Sequence, residues 1–91
     1  MQEKSVQLTV SGNVVGVNFR NWAKRQADRL GVGGWVRNNV DRTISIEVEG
    51  SSDAVDEFIE LVKRGPEQAT VEDVDVRDGE LRGLAGFSIE Y

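Results

Sequence analysis

Val6, Leu8 and Val10 alternate with polar residues, and this period of two predicts a first strand over about residues 5–11. The stretch Gly12–Asn18 then reads as a loop of small and polar residues. From Phe19 the period becomes helical. Phe19, Trp22, Ala23, Ala27 and Leu30 share one face, and Gly31, tolerant of positive φ, ends the helix. "GGWVRN" predicts a second strand at about 33–38, "NVDR" a turn, and the alternation of Ile44, Ile46 and Val48 a third strand at about 43–49. The turn lacks the Asn-Gly or Asp-Gly signal that sets hairpin length.

A second helix starts near Ser51 or Ser52, both good caps, with Asp53, Asp56 and Glu57 early in it. Val55, Phe58, Ile59 and Val62 form its apolar stripe, Lys63 and Arg64 its last turn, and Gly65–Pro66 its stop. A fourth strand covers about 70–77, with Val74 and Val76 inward and Val71 out of phase, so its start should be irregular. "RDGELRGLAG" reads as a loop, and "FSIEY" as a short final strand in which Phe87, Ile89 and Tyr91 alternate.

The order β-α-β-β-α-β with a fifth strand predicts an α+β, ferredoxin-like split β-α-β sandwich. Two helices cover one face of a mostly antiparallel sheet, and right-handed crossovers make the first and second strands parallel with the third between them. Their C-terminal ends then coincide, so Arg20 and Asn38 become neighbours although they lie far apart in sequence.

The 91 residues suit a single domain, 1–91, in which any site lies on loops or at a sheet edge. No apolar run approaches the length of a membrane span, and the first ten residues lack a signal-peptide core. A cytoplasmic location is therefore expected. The chain has no Cys and no His, which removes thiol chemistry and the commonest general base and metal ligand. Its net charge of −5 repels nucleic acid and anionic lipid, and makes a monomer the expected state. An anion site must then be local. The loop before Phe19 offers one, because the orphan N–H groups of a helix's first turn point outward and small residues let an anion approach. Arg20 adds a planar fork for a tetrahedral oxyanion, and Asn38 a donor and an acceptor that can orient water. The same residues also fit an ordinary surface turn with a solvated arginine.

Two motifs here resemble the acylphosphatase family. Gly12-Asn13-Val14-Val15-Gly16-Val17-Asn18-Phe19-Arg20 matches its G-x-V-Q-G-V-x-F-R loop, and Gly34-Trp35-Val36-Arg37-Asn38 its G-W-V-x-N motif. Weaker matches at "VEG", "GP" and "GFSIEY" extend the resemblance over nearly the whole chain. It implies hydrolysis of the carboxyl-phosphate bond of small-molecule acylphosphates, releasing inorganic phosphate, with no metal or cofactor. It also implies a phosphoryl-binding Arg20, a water-positioning Asn38 and a backbone cradle of Val15, Gly16, Val17, Asn18 and Phe19. Val15 stands where the family has Gln, Asn18 where a glycine or an aromatic is common, and "NNVDRT" lacks the usual Pro-Asp-Gly. The Val15 change motivates the alternative, a domain that binds phosphate or a phosphorylated metabolite without turnover.

Other patterns carry less. Gly16 is not followed by the Lys-Ser/Thr of a nucleotide-binding P-loop. "DVDVRDGE" misplaces the glycine of a calcium loop and reads as a solvated acidic strand and turn. "TISIEVE" lacks the aromatics of an RNA-recognition strand. Trp22 and Trp35 read as packing residues.

Overall fold

The computed structural model describes residues 2–91. Its elements are β1 (Glu3–Asn13), α1 (Phe19–Leu30), β2 (Gly33–Asn38), β3 (Ile44–Ser51), α2 (Ser52–Arg64), β4 (Thr70–Asp78) and β5 (Phe87–Glu90). One sheet runs in the order β4-β1-β3-β2-β5. β3 is antiparallel to both β1 and β2, β4 is antiparallel to β1, and β5 is parallel to β2. This is the expected ferredoxin-like arrangement. Because β1 and β2 are parallel across β3, their C-terminal ends lie at one end of the sheet.

The alternation puts one face of the sheet into the core. Val6, Leu8 and Val10 pair in register with Val48, Ile46 and Ile44, and all six are buried. Against them pack Phe19, Ala23 and Ala27 of α1 and Val55, Phe58, Ile59 and Val62 of α2. The Ser51 hydroxyl caps α2 by accepting from the Ala54 N–H at 3.3 Å. Gly31 closes α1 in the left-handed conformation at φ 73°, its N–H donating to the main chain of Ala27 and Asp28.

β1 reaches Asn13, so Gly12 and Asn13 belong to a strand and the loop is shorter than the glycine spacing predicts. Ser11 pairs with Asp73 but Gly12 with Val71, a bulge that skips Glu72. The bulge brings Val71 against the core, which explains its broken phase. Gly12 has φ 127°, and a Cβ there would meet the Thr70 carbonyl oxygen. Val74 packs on the core as expected. Val76 does not, being 43% exposed on the edge strand of the sheet. Tyr91 lies beyond β5 and is 99% exposed, so the alternation of the last strand stops at Ile89.

The opposite face carries Trp35, which sits beside Glu47 in register and under the Arg37 guanidinium at 4.9 Å. There it packs outside the helix-covered core. Residues after β4 are held over this face by Glu49, whose carboxylate accepts from the N–H groups of Arg82 and Gly83 at 3.0 and 3.1 Å.

The β2–β3 turn closes by Arg42 N–H donating to the Asn39 carbonyl at 3.1 Å. Asp41 accepts from the Thr43 hydroxyl and N–H, and these bonds hold its carboxyl below the ordinary carboxylate range. This support is present above the unfolded pKa and is lost as pH falls through the folded one. Arg42 occupies the left-handed region at φ 68°, where a glycine would sit without strain. The left-handed conformation costs about 1–2 kcal/mol for a residue with a Cβ. The added entropy of a glycine in the unfolded chain takes back about 0.4–1 kcal/mol. Arg42→Gly is therefore expected to stabilise the fold modestly, by about 0.5–1 kcal/mol on these two figures, read as a higher urea midpoint at unchanged slope. A lower midpoint would show that the arginine side chain contributes more than its backbone strain costs.

Candidate active site

At the C-terminal ends of β1, β2 and β5 lies a polar cavity of about 110 Å³. Its floor and walls come from Val14, Gly16 and Asn18 to Asn21, from Asn38 of β2, and from Ile89 and Tyr91 at the end of β5. Arg20 and Asn38 thus share one cavity, as the crossover rule requires.

The loop that precedes α1 turns on two left-handed residues, Gly16 at φ 80° and Asn18 at φ 64°. A Cβ on Gly16 would meet nothing within 4 Å, so glycine is used there for its backbone and not for room. Asn18 occupies the N-cap position of α1 but makes no side-chain cap; its Oδ1 accepts instead from Asn21 Nδ2 at 2.8 Å. The first turn of α1 also holds no acidic residue. Its leading N–H groups are therefore left without a side-chain acceptor, in contrast to α2, where Ser51 and Asp53 serve that end.

Arg20 follows the buried Phe19 and turns away from the core. One of its guanidinium nitrogens, Nη1, donates to the main-chain carbonyl of Glu90 at 3.1 Å, and the guanidinium lies 4.8 Å from the Tyr91 ring centroid. A hydrogen bond and a cation–π contact together restrict the fork, leaving its other N–H groups for a ligand.

Asn38 ends β2 on the helix-covered face, in register with Ile44. Asn39, next in the chain, has its amide engaged: Nδ2 donates to Thr43 Oγ1 at 2.9 Å and Ser45 Oγ at 2.8 Å. The two asparagines divide the work, Asn39 fixing the turn and Asn38 facing the cavity.

Of the residues expected to form the cradle, Gly16, Asn18 and Phe19 line the cavity. Val15 and Val17 do not; both are half-buried against the core. The valine in place of glutamine thus anchors the loop from beneath. Val14, Asn21, Ile89 and Tyr91 were not singled out from the sequence, and neither was the Glu90 carbonyl. The terminal alternation pointed to Ile89 and Tyr91, but nothing in it signalled that β5 joins β2 at the site. Trp35, on the opposite face, takes no part. The acidic run after Thr70 is strand, with Arg77 paired to Asp75 at 2.8 Å, and no group of metal-ligating side chains gathers among the described residues.

The acylphosphatase family profile matches residues 6–89. An acylphosphatase from Nocardioides sp. is 52% identical over 85 residues, covering 93% of this chain and 86% of that protein. One from Salinibacter ruber is 50% identical over 74 residues, covering 81% and 78%. The crystal structure of acylphosphatase from Bacillus subtilis superposes with a TM-score of 0.93 at 35% identity, covering 99% of this chain and 100% of that one.

Proposed function

The chain belongs to the acylphosphatase family, and from that premise we propose that Arg20 and Asn38 carry out the hydrolysis of its acylphosphate substrates. The protein is an acylphosphate hydrolase that takes a small-molecule acylphosphate and releases phosphate. The observation that carries the residue assignment is the single cavity shared by Arg20, Asn38 and the uncapped start of α1.

In this reading the N–H groups of the loop and of the first turn of α1, together with the Arg20 fork, hold the equatorial oxygens of the phosphoryl group. Asn38 orients a water for in-line attack on phosphorus. The new P–O bond forms as the bond to the carboxyl oxygen breaks, and the electron pair leaves with the carboxylate. The water proton passes to a phosphoryl oxygen. A carboxylate is a good leaving group, so a chain without His or Cys can run this reaction by positioning and charge stabilisation.

No metal or cofactor takes part in the proposed step. The expected result is undiminished hydrolysis of acetyl phosphate, followed as phosphate release, in excess chelator. Complete loss in chelator would overturn the metal-independent mechanism.

We further read residues 1–91 as one domain acting as a cytoplasmic monomer, without nucleic-acid or membrane partners. The net charge of −5 supports this, and no helix among the described residues is long and apolar enough to cross a membrane.

A further inference from the structure

Trp22 N–H donates to the Asn18 carbonyl at 3.1 Å, and among the described residues it is the first N–H of α1 to meet an acceptor. Those of Phe19, Arg20 and Asn21 before it are the orphan donors of the first turn. Asparagine is among the strongest caps for such donors, because its side-chain oxygen accepts from the second or third N–H of the helix. Asn18 stands at the cap position and does not do this. Its backbone is left-handed at φ 64° and ψ 24°, and its Oδ1 accepts from Asn21 Nδ2 at 2.8 Å. Ser51, at the same position of α2, has an extended backbone at φ −60° and ψ 143°, and its hydroxyl accepts from the Ala54 N–H.

Asn18 therefore has two arrangements open to it. In the extended one its amide oxygen turns onto the first N–H groups of α1, as the Ser51 hydroxyl does at α2. In the left-handed one the oxygen is turned to Asn21 and the helix start is bare. The left-handed region is the less favourable for a residue with a Cβ, so the bare arrangement needs a partner to hold it. Among the described residues Asn21 is the one partner of the Asn18 side chain. Both asparagines are exposed, and both line the phosphate-sized cavity, so packing does little to choose between the arrangements.

We propose that Asn21 is a positioning residue that clamps the Asn18 amide away from the start of α1, keeping the phosphoryl-binding N–H groups free of a competitor built into the chain; this rests on the reading of those groups as the phosphoryl cradle. The Asn18 oxygen and a phosphoryl oxygen seek the same donors. Releasing the clamp therefore acts as internal competitive inhibition. It raises KM and leaves kcat little changed, because a bound substrate has already displaced the amide.

The test is a double-variant cycle in the full chain, with acetyl phosphate as substrate and inorganic phosphate as ligand at constant ionic strength. Asn21→Ala is expected to raise KM, and the phosphate dissociation constant read from the titration of Tm, by about fivefold each, the equilibrium weight of one typical helix cap. Asn18→Gly removes the competing oxygen and adopts the left-handed conformation without strain. In that background Asn21→Ala is expected to leave both constants where Asn18→Gly alone puts them. A loss of the same size in both backgrounds would make Asn21 a direct phosphate contact, overturning the clamp and leaving the cradle reading intact. A Tm lowered by Asn21→Ala with both constants unchanged would make the bond between the asparagines structural only, and would also overturn the clamp. Absence of any phosphate-induced Tm shift in the unmodified chain would overturn the cradle reading and the clamp with it.

Discussion

Arg20→Ala is expected to lower kcat/KM for acetyl phosphate by about 10³-fold or more, the scale on which an arginine stabilises a phosphoryl transition state. The variant should also lose the stabilisation that inorganic phosphate confers on the fold. Both effects follow from one geometry. The guanidinium is set by the Glu90 carbonyl and the Tyr91 ring, and its fork faces a cavity large enough for an oxyanion. A ligand at about 100 times its dissociation constant adds roughly 2.7 kcal/mol to stability. In a domain of this size each kcal/mol moves the melting temperature by about 4–8 °C. Near-saturating phosphate should thus raise Tm of the unmodified protein by on the order of ten degrees.

Phosphate also stabilises proteins by exclusion from their surfaces, so the comparison is made at constant ionic strength with sulfate-free buffers and all variants in parallel. Arg20→Lys keeps the charge and loses the planar fork, and should fall between the other two in both rate and shift. Equal Tm shifts in all three proteins would assign Arg20 to the solvated surface. The loop from Val14 to Asn18 would then be an ordinary turn.

The fold was legible where burial on one face enforces a period. Val6, Leu8 and Val10, Ile44 to Val48, and the stripes of both helices all lie where their spacing puts them, because a slip would carry each set into water. It was less legible where a tertiary contact overrides the local pattern. Val76 alternates correctly yet stays 43% exposed on the edge strand, and Val71 breaks phase because a bulge beside Gly12 re-aims it. Arg20 and Asn38 could be brought together from topology alone, since a right-handed crossover leaves little choice. The Glu90 carbonyl could not. It reaches Arg20 through the parallel pairing of β5 with β2, a long-range choice with no local signature. Asn38 was picked out by the end of its strand and by the G-W-V-x-N motif, but the different task of its neighbour was not: Asn39 is engaged by Thr43 and Ser45.

That separation sharpens the remaining prediction. Asn38→Ala is expected to lower kcat by about 10²–10³-fold, the cost of removing one preorganised polar group from a reacting centre. Phosphate should still raise Tm about as much as in the unmodified protein, because the proposed roles assign the anion to Arg20 and the backbone of the loop. The fold should tolerate the change: Asn38 ends its strand, and the turn behind it is tied by Asn39, Asp41 and Thr43. Asn38→Asp distinguishes water positioning from simple filling of space. It matches asparagine in shape, but it places a negative charge in a cavity that must hold an anion. It should therefore lose the phosphate-induced Tm shift as well as turnover, whereas alanine loses turnover alone. The measurements are kcat and KM determined separately for each variant, alongside Tm with and without phosphate. A defect of Asn38→Ala confined to KM, or one that abolishes the phosphate shift, would make Asn38 a phosphoryl-binding residue. The attacking water would then have to be oriented from elsewhere in the cavity, where the amides of Asn18 and Asn21 and the Tyr91 hydroxyl are the remaining neutral side-chain donors and acceptors on the wall.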